Sequence, residues 1–568
     1  MIVIKYNPND LRYMFLTGDD GDLRKLEGHL NKIPSYMYLP SFNKMMIRPV
    51  VFLNKLRSEG RVIYYCHSGL WREVCGFCEN SGIEYTKESF DDYFKYSPFQ
   101  CSYEDFYEVV RGWNLNLAPR DYQVKSAWKI LQYRQSLSQL ATRAGKTLIA
   151  YMVFRYALEH GAHNILMIVP NITLVKQGVE DMKEYKEFFQ TETVWAKGEY
   201  CECANLTIGT FQSLIKRLDR KSTKYNPKFF DKFDVILCDE AHTAKCKSIN
   251  DLLSQQFMKQ VKLKFGFSGS LPEKSSIESY TIQSLMGPMI QDISSKELMD
   301  QGFITPIDIT QVRVSYDDED LSKQYIEFGE YLCSNYVTEL KDGKRVRVKR
   351  SKEDCDFTMK EVKELPVVLR TMKGQLAVGA ITEHEYIDAI VQMCKAQGSN
   401  LLNLEQMLVH HSQKRVRVMD ELIESMDKNC IVFAHHQEYL KFLESHFKER
   451  FPGRHVYMIQ GSTSPKKRED IIKALLDDKD AILVASYGCV GTGITLKNID
   501  YGIFAQSFKS QIINKQSMGR GLCLANDKDK YRLYDIIDVF PTKRLFMQGL
   551  EKVKLYKREK FEYRIIEK

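Results

Sequence analysis

Two trains of short apolar runs, each run separated by a helical stretch, constrain this chain more than any other feature. The first train holds SLSQLA, NILMIVP, LTIGTF, FDVILCDE and KFGFSGS between about residues 106 and 308. The second holds NCIVFAH, HVYMIQG, DAILVASYG, DYGIFAQS and YRLYDIIDVF from about 405 to the end at 568. Continuously apolar runs mark strands buried on both faces, and alternation with helices lets successive strands run parallel. Each train therefore predicts an α/β domain whose parallel sheet is covered by helices. One domain cannot hold both, because a single core rarely serves more than roughly 200 residues.

The flanking segments read differently. Residues 1 to about 105 mix the β-like runs MIVIKY and GRVIYYC with an amphipathic stretch at 69–80, which predicts a small α/β domain with DNA binding as a candidate role. Residues 309–404 are less regular and read as a linker or inserted subdomain. They include KDGKRVRVKRSK at 341–352, where Val alternates with Lys and Arg as in an exposed hairpin. A solvated charged face and a nucleic-acid contact are both open for that run.

Cysteine and charge narrow the function classes. Cys66, Cys75, Cys78 and Cys101, with His67, offer only one CxxC, and Leu70, Val74, Phe77 and Cys78 repeat at helical spacing. That pattern predicts a core helix rather than a zinc site, which needs two spaced ligand pairs. A net charge of +8, from 82 basic and 74 acidic residues, permits a polyanionic partner without demanding one. No apolar stretch reaches the roughly 18 residues that cross a bilayer, and MIVIKYNPND lacks a secretory pattern. The expected location is the cytoplasm, with no membrane partner.

The chemistry is concentrated in two short segments. LATRAGKTLIA at 140–150 follows a strand and opens a helix. Phosphate needs converging backbone N–H groups, a lysine for the outer phosphates and a hydroxyl for Mg²⁺, which Gly145, Lys146 and Thr147 supply. FDVILCDEAH at 233–242 delivers Asp239 and Glu240 to the C-terminal end of a buried strand, where open α/β sheets bind ligands. One carboxylate can order Mg²⁺ while its neighbour activates water.

With these in hand the chain resembles the superfamily 2 helicases, and the motifs run in order across about 120–540. APRDYQ resembles the adenine-recognising element through Arg120, Tyr122 and Gln123. ATRAGKT resembles motif I, IVPNITLVKQ Ia, IGTFQSL Ib, DEAH II and GFSGSL III. IVFAHHQEYLKFL resembles motif IV, ASYGCVGTGITLKNID V and QSMGRGLC VI. The small front domain, with GLWREVCGFCENSGIEYT and MGPMIQDISSKELMDQGFITPIDI, is similar to the phage UvsW-like DNA helicases; a phage-encoded chain would work in the host cytoplasm.

The resemblance implies two RecA-like lobes and ATP with Mg²⁺ as cofactors. It assigns nucleotide contacts to Arg120, Tyr122, Gln123, Thr142, Arg143, Ala144, Gly145, Lys146, Thr147, His242, Gly491, Gln516 and Arg520. Thr147 and Asp239 would hold the metal, Glu240 would be the general base, and Arg520 would neutralise charge on the γ-phosphate. Ser268 and Ser270 would couple hydrolysis to movement. Nucleic-acid phosphates would meet Pro170, Thr173, Gly209, Thr210, Gly461, Ser462 and Thr492, with little sequence preference. The implied substrates are single-stranded DNA tracks, branched duplexes and RNA–DNA hybrids. The residues leave open an RNA helicase, the motor subunit of a restriction-type nuclease and an ATP-gated clamp. Two departures stand out: Arg143 replaces a motif I glycine, and Cys523 replaces the second motif VI arginine, for which Lys528 and Arg532 are candidate substitutes.

Overall fold

The computed structural model describes the chain apart from residues 7–9, 11, 32–33, 40–43, 59–60, 89–95, 196–197, 260, 273–275, 317–318, 335, 342–343, 350–366, 397–400, 491–495, 497, 507–509, 526–527, 541 and 543. For 34–39, 44–49, 331–334, 336–341, 344–349 and some single residues it describes the backbone alone. The chain divides into two compact units, Met1–Leu298 and Met299–Lys568.

The first unit opens with β1 (Ile2–Tyr6), β2 (Tyr13–Gly18), β3 (Pro34–Leu39), β4 (Lys44–Pro49), β5 (Leu53–Ser58), β6 (Arg61–His67) and β7 (Tyr85–Glu88). Five of these form a sheet in the order β5-β6-β2-β1-β7, antiparallel except for β1 with β7, while β3 and β4 pair as a separate hairpin. Helix Trp71–Asn80 covers this sheet. Cys66, Cys75 and Cys78 are buried there among Leu70, Val74 and Leu26, so these thiols are core groups.

A second, all-parallel sheet follows. Its strands are β8 (Gln135–Leu140), β9 (Ile165–Val169), β10 (Thr191–Val194), β11 (Leu206–Thr210), β12 (Val235–Cys238), β13 (Leu263–Ser268) and β14 (Met289–Ile293), in the order β10-β11-β9-β12-β13-β8-β14. The five apolar runs of the first train are five of these strands. A boundary at 105 would cut the helix Tyr103–Gly112, which packs on the helix Asp121–Gln132.

The small sheet is fastened to the parallel one by polar and close-packed contacts. Arg12 bridges Asp10 and the Ser254 carbonyl. Arg72 donates to the Met289 carbonyl at 2.8 Å, and Gln135 to Ser68 Oγ at 3.0 Å. Gly69 lies so close to Gln283 that a Cβ would stand 1.9 Å from its carbonyl oxygen. Lys264 of β13 is buried at this junction. Burial pushes its ammonium down to about 7, with Arg12 adding to the effect, and His67 beside it is pushed down to about 4. Because the folded value lies below the ordinary lysine value of 10.5, the unfolded chain binds the extra proton between them. Stability from this group therefore rises from pH 7 toward 10. Lys264→Met is expected to stabilise the first unit by roughly 1–3 kcal/mol at pH 7 and to flatten its melting temperature across pH 7–9, read by thermal denaturation.

The second unit repeats the parallel plan. β15 (Ile307–Ser315) precedes a separate hairpin of β16 (Tyr336–Lys341) and β17 (Lys344–Lys349). Then come β18 (Cys430–Ala434), β19 (Val456–Ile459), β20 (Ile482–Ser486), β21 (Tyr501–Phe504), β22 (Tyr531–Val539) and β23 (Tyr563–Glu567), in the order β19-β20-β18-β21-β22-β15-β23. Numbered within each sheet, both orders read third, fourth, second, fifth, sixth, first, seventh.

The sequence boundary at 308 and an inserted subdomain from 309 differ from this arrangement. β15 is the first strand of the second sheet, paired with β22 along its length and with β23 from Ile309 to Arg313. It escapes pattern reading because IDITQVRVS interleaves polar residues, and Thr310 and Gln311 are buried nonetheless. Arg564 Nε donates to Thr310 Oγ1 at 2.9 Å, and Gln311 Oε1 accepts from Arg313 Nε at 3.0 Å. The following helices supply Tyr325, Leu369, Tyr386 and Ile390 to the cluster that also holds Val432, Ile503 and Ile536. They share the core of the second sheet. Among the described residues no helix is long and apolar enough to cross a membrane.

Candidate nucleotide site

β8 ends at Leu140, and the chain turns through Ala141–Gly145 before the helix Lys146–Glu159 begins. The turn needs two left-handed residues, Arg143 at φ 73° and Gly145 at φ 77°. Glycine adopts this freely, whereas a non-glycine residue costs about 1 kcal/mol or more, so Arg143 is held there by its surroundings. Gly145 is also fixed by space, since a Cβ would stand 2.1 Å from Gln123 Nε2. The residues of APRDYQ grip the loop. Gln123 Nε2 and Tyr122 OH both donate to the Ala144 carbonyl, at 3.0 and 2.9 Å, and Arg120 N donates to Gln123 Oε1 at 2.9 Å. The amides at the start of the helix face an anion with the favourable end of its dipole.

β12 carries Asp239 and Glu240 beyond its last residue to the same C-terminal edge. Glu240 is left-handed at φ 49°, ψ 51°, a strained conformation at the turn where its carboxylate meets the loop. Lys146 Nζ lies 3.3 Å from Glu240 Oε1, and His242 Nδ1 lies 3.2 Å from Glu240 Oε2. His242 Nδ1 is also 3.1 Å from Ser268 Oγ, which donates to the Ser270 carbonyl at 2.6 Å. A polar chain thus runs from the phosphate loop through the acidic pair to GFSGSL. Gly269 borders the loop: a Cβ there would lie in ordinary contact, 3.7 Å from Lys146 Nζ and from Thr142 Oγ1.

Electrostatics separate the two acids. Burial raises Asp239, and the neighbouring Glu240 carboxylate raises it further. Burial also pushes Glu240 up, but Lys146 and His242 together outweigh it and hold the group ionised well below the usual carboxylate range. Asp181, on the helix Ile172–Tyr185, is a participant that sequence reading missed. Burial pushes its carboxyl up to about 6, while a hydrogen bond from Thr147 draws it down. Thr147 is thereby held by a side chain 34 residues away, a contact with no local signature in the sequence.

The other sequence-named residues divide by unit. In the first, β9 and β11 pair through Val169 and Thr210, and Gln212 Nε2 donates to the Pro170 carbonyl at 3.2 Å. Pro170, Thr173, Gly209 and Thr210 are therefore neighbours at one sheet edge. Thr173 is exposed, Thr210 is buried, and Gly209 is pressed against Val194 and Leu214. In the second, Gly461 and Ser462 are exposed after β19, and Ser462 lines an open depression of about 470 Å³ with Gln460, Thr463 and Lys467. Gln516 and Arg520 stand one turn apart on the helix Gln511–Gly521, with Arg520 buried. Gly521 is obligatory there, because a Cβ would stand 2.3 Å from the Tyr531 ring. Gly491 and Thr492 lie outside the described residues. Neither candidate for the missing arginine is idle: Lys528 Nζ donates to the Ile499 and Gly521 carbonyls, while Arg532 pairs with Asp529 at 3.2 Å and lies over the Tyr501 ring.

Twin parallel sheets of one strand order, the first ending in a phosphate loop beside an acidic pair, define a nucleotide-using protein with two RecA-like lobes. Residues 116–272 match the family model "Type III restriction enzyme, res subunit", and residues 413–523 match "Helicase conserved C-terminal domain". The chain is 26% identical over 530 residues to the ATP-dependent DNA helicase UvsW of Enterobacteria phage T4, covering 87% of this chain and 86% of that one. It is 27% identical over 214 residues to the DNA 3'-5' helicase XPB of Mycobacterium tuberculosis, covering 37% and 36%. Among solved structures, the ATP-dependent Type ISP restriction-modification enzyme LlaBIII bound to DNA shares the fold, with a TM-score of 0.50, 13% identity, and coverage of 79% of this chain and 31% of that one. These matches make the chain similar to the superfamily 2 helicases, and to UvsW over most of its length.

Proposed function

We propose that the chain is an ATP-dependent DNA helicase that translocates on one strand and remodels forks, junctions or R-loops in recombination, repair or replication. The observation that carries this reading is the polar chain Lys146–Glu240–His242–Ser268, which gives hydrolysis a direct path into the sheet edge beside GFSGSL. Lys146 binds the outer phosphates. Glu240, kept ionised by Lys146 and His242, accepts the proton of the attacking water. Gln123, Tyr122 and Arg120 hold the loop and carry the adenine preference.

The donors fit Mg²⁺, a hard cation that takes oxygen ligands from one or two protein groups together with substrate phosphates. Asp239 supplies a buried carboxylate whose raised pKa a cation would relieve, and Thr147 supplies the hydroxyl that Asp181 orients. When bound, the ion would neutralise charge on the β- and γ-phosphates. Arg520 is assigned the remaining transition-state cation on its motif position alone, its helix belonging to the other unit. Pro170, Thr173, Gly209 and Thr210 form one stretch of the strand path and Gly461 and Ser462 belong to another, to which Thr492 is assigned by its motif alone.

The test is ATP hydrolysis and strand separation on DNA forks, four-way junctions, R-loops and duplex RNA. The natural protein is expected to hydrolyse ATP faster with DNA and to resolve at least one branched DNA, and Arg520→Ala to lower turnover by about 10³-fold or more. Inactivity on every DNA substrate with good RNA unwinding would replace DNA by RNA as the track. Turnover no faster in the natural protein than in Arg520→Ala would favour the clamp.

A further inference from the structure

Between Lys216 and Lys232 the chain carries seven Lys and Arg against two Asp, and neither the nucleotide site nor the strand path uses them. Two of the seven are packed. The Arg217 guanidinium lies 4.1 Å from the centre of the Phe229 ring, and Lys232 pairs with Glu192 at 2.8 Å. The other five, Lys216, Arg220, Lys221, Lys224 and Lys228, are exposed, and among the described residues none of their side chains has an acidic partner or a hydrogen bond. Asp219 is turned to the backbone, where its Oδ1 accepts from Lys221 N at 2.9 Å. Uncompensated, the five make a local positive field that concentrates polyanions.

A closed loop holds these cations. Asn226 N donates to the Arg217 carbonyl at 2.8 Å, and within the span so closed Ser222 N donates to the Asp219 carbonyl at 2.9 Å and Tyr225 N to the Ser222 carbonyl at 3.1 Å. Leu214 on one side and Phe230 and Phe233 on the other anchor it in the core cluster that holds Ile168 and Ile236. With the backbone already ordered, a ligand has only side chains left to immobilise.

Connectivity sets where the loop lies. The chain leaves β11 at Thr210, on the C-terminal edge of the parallel sheet, and re-enters at Val235, the first residue of β12 on the opposite edge. The cations therefore follow a course that starts at the edge carrying Pro170, Thr173 and Thr210 and runs down the flank of the sheet. Lys216 stands about 9 Å of helical rise beyond Thr210, and Lys232 ties the far end to Glu192 of the edge strand β10.

We propose that Lys216, Arg220, Lys221, Lys224 and Lys228 form a second nucleic-acid surface of the first unit, holding the phosphates of the duplex arm that adjoins the single-stranded track. The identity of the polyanion as DNA rests on the function proposed above; the charge and its place rest on this segment alone. Duplex is favoured over single strand because single-strand surfaces add aromatic faces on which bases stack. Here Phe229, Phe230 and Phe233 are packed against the core, and Tyr225 is the exposed ring of the segment. Contact through phosphates is insensitive to sequence and steeply dependent on salt.

The experiment uses the full chain with Arg220, Lys221, Lys224 and Lys228 all changed to Gln. Binding to a forked DNA, a blunt duplex and an unstructured single strand is followed by fluorescence anisotropy across a salt series, and thermal denaturation checks that the fold is kept. Affinity for the blunt duplex is expected to fall about ten-fold or more, and the slope of log K against log salt to shrink by roughly 3–4, near 0.9 per lost phosphate contact. Fork affinity falls with it, whereas single-strand affinity changes by no more than about two-fold. A second variant, Lys221→Arg with Lys224→Arg and Lys228→Arg, keeps the charge and is expected to keep duplex affinity.

Unchanged duplex affinity in the Gln variant overturns the inference. So does an equal loss on duplex and single strand, a loss in the charge-keeping variant, or a loss seen only with an acidic polypeptide such as polyglutamate. If the natural protein never hydrolyses ATP, yet the Gln variant loses duplex binding as expected, the role of the segment stands and the helicase reading falls. If DNA speeds ATP hydrolysis by the natural protein while the Gln variant binds duplex as tightly as before, the helicase reading stands and this one falls.

Discussion

Glu240→Gln is expected to lower the turnover of ATP hydrolysis by about 10²–10⁴-fold, the usual worth of a positioned general base, while leaving ATP binding close to natural. The carboxylate sits between Lys146 at 3.3 Å and His242 at 3.2 Å, and these two cation-capable groups keep it ionised against the pull of burial. The amide preserves size and hydrogen-bonding capacity but cannot accept the proton of an attacking water. The nucleotide cradle is built from Gly145, Lys146 and the Gln123 and Tyr122 contacts to Ala144, none of which depends on the proton-accepting oxygen. Single-turnover phosphate release and nucleotide binding should therefore separate. A variant that releases phosphate at the natural rate would remove Glu240 from the chemistry and leave its strained backbone without a purpose.

The largest stability effect is expected in the second unit, from Arg415→Met. Arg415 is fully buried; its Nε donates to Asp538 Oδ1 at 2.7 Å, and its other nitrogens reach Tyr439 OH and the Ala505 carbonyl. Asp538 also accepts from Tyr316 OH at 2.7 Å. Removing the cation leaves a buried carboxylate with one neutral donor, a loss that costs roughly 3–5 kcal/mol when one partner of a buried pair is deleted. Adding Asp538→Leu should recover part of that loss, because replacing both charges by apolar groups is often neutral or better. Denaturant unfolding should show an early transition assigned to the second unit and an unshifted one for the first. A single variant within about 1 kcal/mol of the natural protein would mean that water reaches the cluster.

How far the sequence was legible can be followed residue by residue. The apolar runs became strands of the parallel sheets because a strand buried on both faces has no choice but to be apolar throughout. β15 was hidden for the converse reason: its polar residues are buried, with Thr310 Oγ1 and Gln311 Oε1 accepting from Arg564 and Arg313, partners supplied from β23 and from its own strand. The segment 309–404 looked like an insertion because its helices complete a core whose other half lies more than a hundred residues on, at Ile503 and Ile536. Asp181 was invisible because a lone acid on a helix face carries no motif until the fold lays it against Thr147.

The sequence by itself determined the two parallel sheets and the positions of the phosphate loop and the acidic pair, since period, apolar continuity and ligand chemistry are local properties of the chain. Only the tertiary structure decided that the two sheets share one strand order with β15 as the missing first strand. It alone joined Lys146, Glu240, His242 and Ser268 into one polar chain. Each of these depends on pairing between distant segments, which the order of residues permits but which only packing and register select.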